Sequence, residues 1–482
     1  MTRTVLVAAA LATALAACTV GPDYRRPEVP VPVVYALREA GNPAALVDPW
    51  WRLFNDTALN DLVAQAFAQN LDLAMADARI GQARAALGSA QAGRGPRVTA
   101  GASAQDHRLS ENGAQLHNLP PNAQPELEFS VYRGYLDASW ELDVWGRQRR
   151  LTEAAVARAD SAVEARRDAV LRVAAEVARN YADLCVVNAR LAAARASVSS
   201  LRASLALVEQ RVQVGEDAGS DANHLEAEAR EVEGTVPLLE AERAAALFAI
   251  DVLIGAPPGN AERRIQALGA RQSTLEVPPV VPGLPSDLLR RRPDIRRAER
   301  ELAAETADVG VAVADLYPRF SLTGSGGLEA VHAGDFLKLA SRFWQVGPTL
   351  AAPVFDGGAR RASVQRERAQ VDEAVAAYKQ AVLRALSDVE TALVRVNKER
   401  HRVQALTQSH AALSRNLELL RQRLRVGESD RLELLEQERR LLRANDLVEQ
   451  SRGRLAAYTI TLGKSLGGGW QAVDGDERAS VQ

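Results

Sequence analysis

One feature of this sequence limits what the chain can fold into: an apolar residue occupies every seventh position from Val156 to Val212. The series is Val156, Val163, Val170, Val177, Leu184, Leu191, Val198, Leu205 and Val212. A seven-residue repeat keeps its members on one side of a helix, and about 65 residues of helix are roughly 100 Å long. Such a helix extends beyond a small globule, so the sequence predicts an elongated, mainly helical body.

The composition agrees with long helices. Aromatic residues make up only 5% of the chain while Ala, Arg, Leu, Glu and Val dominate, a mixture typical of long helices rather than of sandwiches or enzyme-like α/β domains. The 59 Lys and Arg residues nearly balance the 61 Asp and Glu residues, which leaves a net charge of -2. A chain without a basic surface excess is not expected to bind nucleic acid.

The second half of the chain repeats the plan of the first. A second apolar seam with alternating spacings of four and three runs from Val371 to Leu424. Both seams end in the pattern Arg-x-x-x-Gly, at 211–215 and at 423–427, and a return helix follows each turn. Because the corresponding glycines lie about 210 residues apart, we interpret the halves as a tandem duplication of one helical hairpin.

Each half also contains two strand-like stretches before its long helix, at 97–105 and 130–145 and at 319–328 and 343–355. The stretch at 97–105 has small, alternating residues and the stretch at 130–145 is aromatic and β-prone, although the alternation is not clean. After the N-terminus, no stretch approaches the roughly 18 consecutive apolar residues of a transmembrane helix. If the chain crosses a membrane, we therefore expect it to do so with strands.

The N-terminus resembles a bacterial lipoprotein signal. Arg3 precedes a short apolar run that ends in Leu15-Ala16-Ala17-Cys18, as in a lipobox, where the signal is removed before an acylated cysteine. The alternative is an ordinary secretory signal in which Cys18 is incidental. Acylation at Cys18 would suffice for stable anchoring, and Thr19 is compatible with delivery to the outer membrane. The other cysteine, Cys185, lies within the helical pattern, so no intrachain disulfide is expected.

These observations divide the chain into six predicted segments. They are a signal peptide at 1–17, a lipidated tether at 18–50, a first repeat at 51–276, a linker at 277–285, a second repeat at 286–466 and a tail at 467–482.

Several motifs together resemble the TolC-like outer membrane efflux protein family, in its lipoprotein branch of NodT/OprM type. The motifs are Cys18 with Gly21-Pro22-Asp23-Tyr24, Leu289 to Ile295, Tyr317 to Gly324, Pro353 to Gly358 and Leu466 to Trp470. The resemblance covers essentially the whole mature chain. It implies a mainly α fold with a transmembrane β-barrel contribution: a homotrimeric duct, with four strands per subunit in a shared twelve-stranded barrel. Long coiled-coil-like helical hairpins would form a periplasmic tunnel.

The resemblance also implies a function. The chain would be a passive channel subunit in the outer membrane, anchored by lipid, with helices extending into the periplasm. It would conduct drugs and other small molecules from a proton-driven inner-membrane pump and a periplasmic adaptor to the exterior. One alternative is the outer-membrane duct of a type I protein secretion system. A more distant alternative is a lipid-anchored coiled-coil scaffold without a pore, which leaves the four strand segments unexplained.

Candidate functional residues lie at the two hairpin tips. In the family these tips constrict the periplasmic mouth, and its acidic gate positions fall on Asp221, Glu433 and Glu436. The alternative is that these carboxylates are merely solvated or cap a helix. The pairs Arg211 with Gly215 and Arg423 with Gly427 resemble the tip motif that contacts the adaptor. The set of predicted site residues is Cys18, Asp221, Glu433, Glu436, Arg211, Gly215, Arg423 and Gly427.

No catalytic constellation is evident in the sequence. The six histidines are scattered, and we find no Cys/His ligand spacing, glycine-rich phosphate loop or nucleophilic triad. His410 falls on the second seam, where a packed histidine is expected rather than a metal ligand. We therefore expect neither enzymatic activity nor a cofactor or metal.

Overall fold

The computed structural model describes residues 19–35, 49–113, 126–214, 219–269, 275–277 and 285–471. The predicted signal peptide, the lipidation site at Cys18 and the tip residue Gly215 lie outside the described residues.

The chain is mainly helical. Its helices are α1 (Thr57–Gln69), α2 (Leu71–Ala92), α3 (Arg147–Gln213), α4 (Gly219–Leu253), α5 (Asn260–Ala267), α6 (Leu288–Arg291), α7 (Pro293–Ala314), α8 (Ala359–Arg425) and α9 (Arg431–Ser465). Short 3-10 turns occur at Trp50–Phe54, Pro285–Asp287, Ala333–Asp335 and Leu339–Ser341.

The long helical hairpin occurs twice with the same dimensions. Helices α3 and α8 each contain 67 residues, and the return helices α4 and α9 each contain 35. Each boundary of the second pair lies 212 residues after its counterpart, from Arg147 against Ala359 to Leu253 against Ser465. This fixed offset gives every residue of one hairpin an equivalent in the other.

The predicted seams account for much of the helix packing. In α3 the seam residues in the middle of the helix, from Val170 to Leu191, are buried, and in α8 the seam residues from Tyr378 to Val396 are buried. Cys185 packs within this part of α3, and burial raises the pKa of its thiol to about 12. One 18-residue window of α3 reaches a mean hydropathy of 1.2, a level that core helices also reach, and a third of the window is buried.

Two residues that ordinarily weaken a helix, Gly234 and Pro237, lie in the middle of the first return helix. Helix α4 runs continuously through both residues. A proline inside a helix costs about 3 kcal/mol because it removes one hydrogen bond and crowds the preceding turn. Packing offsets this cost: Val236 and the buried Leu239 join an apolar cluster with residues of α3.

Four antiparallel strands form one sheet in the order β1 (Arg97–Arg108), β2 (Glu128–Leu142), β3 (Arg319–Ala330) and β4 (Arg342–Ala351). The register pairs Val98 with Ala138, Trp140 with Leu322, and Leu322 with Pro348. Side chains alternate between the faces of a strand. The register therefore gives the sheet one apolar and one largely polar face, an order that the separate sequence stretches did not show.

The chain separates into two compact units, each of which draws on both halves of the sequence. The first consists of Met1–Pro27, Gly81–Ser161 and Glu299–Ala377 and contains the sheet. The second consists of Glu28–Ile80, Ala162–Ala298 and Tyr378–Gln482 and contains the hairpin tips. The main apolar core of the second unit joins α1, the middle of α3 and the end of α4, and it includes Trp50 and Trp51.

In the first unit, a buried arginine contacts the segment after Cys18. Arg150, near the start of α3, donates hydrogen bonds to the carbonyl oxygens of Val20 (3.3 Å) and Gly21 (3.4 Å). It also donates to Asp23 Oδ1 at 2.7 Å. Gly21 has a φ of +92°, and a Cβ there would lie 2.5 Å from Gly310 Cα. Only glycine therefore fits this approach to α7.

Candidate hairpin-tip gate

The two hairpin tips meet through an ion pair. Arg211 lies in the last turn of α3, and its Nη1 is 2.9 Å from Oδ2 of Asp430, which precedes α9. The side chains of Arg211 and Asp430 are 39% and 51% exposed. Exposed ion pairs contribute about 0–1 kcal/mol to stability, so this contact between the tips is energetically weak. A cleft of about 260 Å³ lies beside it, lined by Leu207, Gln210, Arg211, Val214, Asp430, Arg431 and Leu432.

The turn of the second tip is stabilised by hydrogen bonds among its own residues. Gly427 has a φ of +76°, and its N–H donates to the carbonyl oxygen of Leu424 at 3.2 Å. Glu428 N–H donates to the carbonyl of Arg423 at 2.9 Å, and the Arg423 side chain donates to the carbonyl of Glu428 at 3.4 Å. The side chain of Asp430 accepts from Leu432 N–H, as an N-cap does.

Apolar and buried polar contacts tie α9 to the first hairpin below the tips. Leu432 packs against a cluster of buried residues on α3 and α4 that includes Leu201, Val208 and Leu225. Deeper in the hairpins, the guanidinium of Arg439 donates to Ser204 Oγ at 3.0 Å, and both residues are buried. The Arg211–Asp430 pair is therefore the exposed end of a longer contact between the hairpins.

The predicted acidic residues are all exposed, but their surroundings differ. Asp221 and Glu433 occupy equivalent positions, each the third residue of a return helix. Asp221 makes no hydrogen bond or ion pair among the described residues, whereas Glu433 accepts a hydrogen bond from Ser429 Oγ at 2.6 Å. Glu436 pairs with Arg440 one turn later, and the residue equivalent to Glu436 in the first hairpin is His224.

Comparison with known proteins identifies the family. The profile of the outer membrane efflux proteins matches residues 62–256 and 284–468, most of the chain. The chain belongs to the outer membrane efflux protein family. Nodulation protein T of Rhizobium leguminosarum bv. trifolii is 32% identical over 466 residues, covering 95% of this chain and 96% of that protein. Outer membrane protein OprJ of Pseudomonas aeruginosa is 32% identical over 470 residues, covering 95% of each chain.

The fold agrees with a solved channel of the family. The structure of the outer-membrane channel OprN is similar with a TM-score of 0.81 and 34% identity, over 94% of this chain and all of that one. The family, fold class, outer-membrane location and efflux function implied by the resemblance are confirmed. This chain is a subunit of a trimeric efflux channel that works with an adaptor and an inner-membrane pump.

Among the predicted tip residues, the structure brings Arg211 to the second tip and keeps Arg423 within its own turn. Gly215 lies outside the described residues. Asp430 was missed by sequence reasoning. Its position directly before an apolar-periodic helix signals an N-cap, but no sequence pattern pairs it with an arginine 219 residues earlier. The gate and adaptor-contact roles of the predicted residues stay predictions.

Proposed function

We propose that the two hairpin tips gate the periplasmic mouth of this efflux channel and that the Arg211–Asp430 pair is the latch. The 2.9 Å ion pair between the tips is the observation that supports this proposal. A gate made by two tips opens when they separate, and separation breaks the pair. The pair therefore stabilises the closed arrangement directly.

The strength of the latch suits a passive duct. Each exposed pair contributes about 0–1 kcal/mol, so three copies in a trimer contribute at most about 3 kcal/mol. Contacts made by an adaptor can offset a term of this size. The duct then needs no energy source of its own, and export is driven by the pump, for which we infer a proton gradient.

The acidic residues give the mouth its charge. We assign Asp221, Glu433 and Glu436 to the pore side of the tips, where a trimer brings nine carboxylates close to one axis. Like charges at short range repel each other and attract cations. This ring therefore favours cations, and its repulsion opposes the latch.

The tip motifs are the proposed adaptor contacts. Arg423 with Gly427 presents a cation beside a sharp turn, and Arg211, which precedes Gly215 in the sequence, lies at the corresponding end of α3. Because Arg211 also holds the latch, an adaptor that binds its guanidinium competes with Asp430 and releases the tip. The lipid on Cys18 anchors the subunit in the outer membrane. The duct conducts drugs and other small molecules and performs no chemical step, so it is not an enzyme.

Single-channel recordings of the reconstituted trimer test the latch. We expect Asp430→Asn to raise the open probability severalfold, because asparagine retains the cap but cannot form the ion pair. Arg423→Gln is the matched control, since Arg423 bonds only within its own turn among the described contacts. Equal open probabilities for Asp430→Asn and the unmodified channel would contradict the proposal.

A second pair of variants tests the acidic ring. Replacing Glu433 and Glu436 together by glutamine is expected to lower cation selectivity, which reversal potentials in a salt gradient measure directly. Removing acidic groups far from the tips should leave the selectivity unchanged, and Glu240→Gln on the exposed side of α4 serves as this control. An unchanged reversal potential in the double variant would contradict the assignment of Glu433 and Glu436 to the pore side of the tips.

A further inference from the structure

The sheet has two chemically different faces. The register places the following residues on the apolar face: Val98, Ala100, Ala102, Ala104, Tyr132, Leu136, Trp140, Phe320, Leu322, Leu328, Trp344, Val346 and Leu350. Ser, Thr, Gln and charged residues occupy most of the other face. In a membrane barrel the apolar face contacts lipid and the polar face lines the water-filled lumen.

The polar face has an unexpected aromatic patch. Tyr135, in the middle of β2, and Phe343, at the start of β4, lie on this face. Phe129 is on the same face and stacks on His107 with ring centroids 5.6 Å apart. Aromatic girdles of membrane barrels face the lipid interfaces. Aromatic rings on the lumen side therefore need a separate explanation.

Glycines on neighbouring strands hold the two central rings in place. Gly101, Tyr135, Gly327 and Phe343 are consecutive register partners across the four strands, so each ring has a glycine beside it. A Cβ at Gly101 would lie only 2.5 Å from Cζ of Tyr135. The tyrosine ring therefore covers the glycine directly, and this packing limits the positions that the ring can take.

Arg133 lies over both rings and is loosely paired. Its Cζ is 5.0 Å from the centroid of Tyr135 and 4.8 Å from that of Phe343. The nearest carboxylate oxygen, on Glu329, is 3.6 Å from Nε, beyond hydrogen-bond range. Nε makes no hydrogen bond among the described residues, and the side chain is 38% exposed. Because Nε is buried, another anion can reach the guanidinium only through its terminal NH2 groups, on the exposed part of the side chain.

We propose that Arg133, Tyr135 and Phe343 form a lumen subsite that binds planar aromatic anions as they leave the channel. The guanidinium would pair with the anionic group, and the ring edges left open beside it would contact the aromatic part of the ligand. Each subunit supplies one subsite, so a trimer has three. The proposal rests on the channel function but not on the tip latch, because the residues of the subsite all lie on the sheet.

Current block of the reconstituted trimer tests the subsite, with the probe added from the extracellular side so that it need not pass the tips. Naphthalene-2-sulfonate is expected to reduce the current in a saturable way. Methanesulfonate, which has the charge but no ring, should not. A stronger block by 2-naphthylmethylammonium than by naphthalene-2-sulfonate would overturn the assignment to anions, and so would equal effects of the two sulfonates.

Variants locate the effect. We expect Phe343→Leu and Arg133→Gln each to weaken the naphthalene-2-sulfonate block by about fivefold, the usual size of one aromatic or cation–π contact. Gln345→Leu is the matched control, because it lies on the same strand and face and should leave the block unchanged. If Phe343→Leu prevents trimer formation, Arg133→Gln decides the question. An unchanged block in Arg133→Gln trimers would overturn the proposal, whereas failure of the latch alone would change only the tip variants.

Discussion

The two hairpin tips share a backbone plan but use their arginines differently. Arg211 and Arg423 are equivalent residues, 212 positions apart, and each lies four residues before a glycine. Arg211 reaches across to Asp430 of the other hairpin, whereas Arg423 donates to a carbonyl of its own turn. The same five-residue motif thus joins two hairpins in one case and stabilises a single turn in the other.

The charges around the tips differ as well. Asp221 and Glu433 keep a carboxylate at the equivalent position, but Glu436 is matched by His224. Further along the first hairpin, Glu233 pairs with Arg202 and Arg230, and their equivalents Ser414, Leu442 and Asn445 cannot form an ion pair. The duplication therefore preserved helix lengths while the side chains on the helices acquired separate roles.

The largest expected effect comes from reversing the charge of one arginine. Arg211→Asp places a carboxylate opposite Asp430, and we expect the open-to-closed ratio to rise roughly tenfold when three subunits carry the change. Arg423→Asp should change the ratio much less. Single-channel recordings measure both. Adding Asp430→Arg to Arg211→Asp should restore the closed state. Equal effects of Arg211→Asp and Arg423→Asp on the open-to-closed ratio would contradict the proposed difference between the tips.

An intermediate effect is expected from the turn of the second tip. Gly427→Val forces a β-branched residue to a φ of +76°, which costs about 1–2 kcal/mol. The variant should show faster tryptic cleavage at this tip and a lower midpoint of thermal unfolding. Gly219→Val in the first tip is the control, because Gly219 does not have a positive φ and no atom lies within 4 Å of its added Cβ. A stable Gly427→Val tip would mean that the turn tolerates another conformation.

The smallest effect concerns the ion pairs that only the first hairpin has. Hydrogen bonding from Arg202 lowers the pKa of Glu233 below its usual value. A lowered pKa in the folded state stabilises the protein above the unfolded pKa of about 4.5, and this contribution disappears as the pH falls through the folded value. Glu233→Gln should therefore lower the unfolding midpoint slightly at pH 7 and have no effect at strongly acidic pH. Asn445→Gln is the control in the second hairpin.

Sequence periodicity predicted the long helices well because a buried seam dictates the side chain at every turn. The positions from Val170 to Leu191 are buried as expected. Pro237 shows the limit of local rules, since packing of Val236 and Leu239 overrides the preference of one residue. The faces of the sheet could not be read from single strands either. Alternation became evident only when the register aligned Val98 with Ala138 and Trp140 with Leu322.

The tip site was only partly predictable for a related reason. A motif fixes the residue types at a turn, so Arg211, Arg423 and Gly427 could be found from sequence alone. It does not specify which residue of another hairpin approaches the turn. The partner role of Asp430 depends on how α3 and α9 pack through Leu432 and the buried Arg439–Ser204 contact. Pairings of this kind depend on tertiary structure.

The hydrogen bonds from Arg150 to the N-terminal segment determine which substitutions that segment tolerates. Two of its three contacts there are to the carbonyl oxygens of Val20 and Gly21, which every amino acid supplies. Substitution of the side chain at position 20 therefore leaves the hydrogen bond from Arg150 in place. Position 21, in contrast, accepts only glycine because it lies against Gly310. Random mutagenesis of 19–23 with selection for export should accordingly recover many residues at 20 and only glycine at 21.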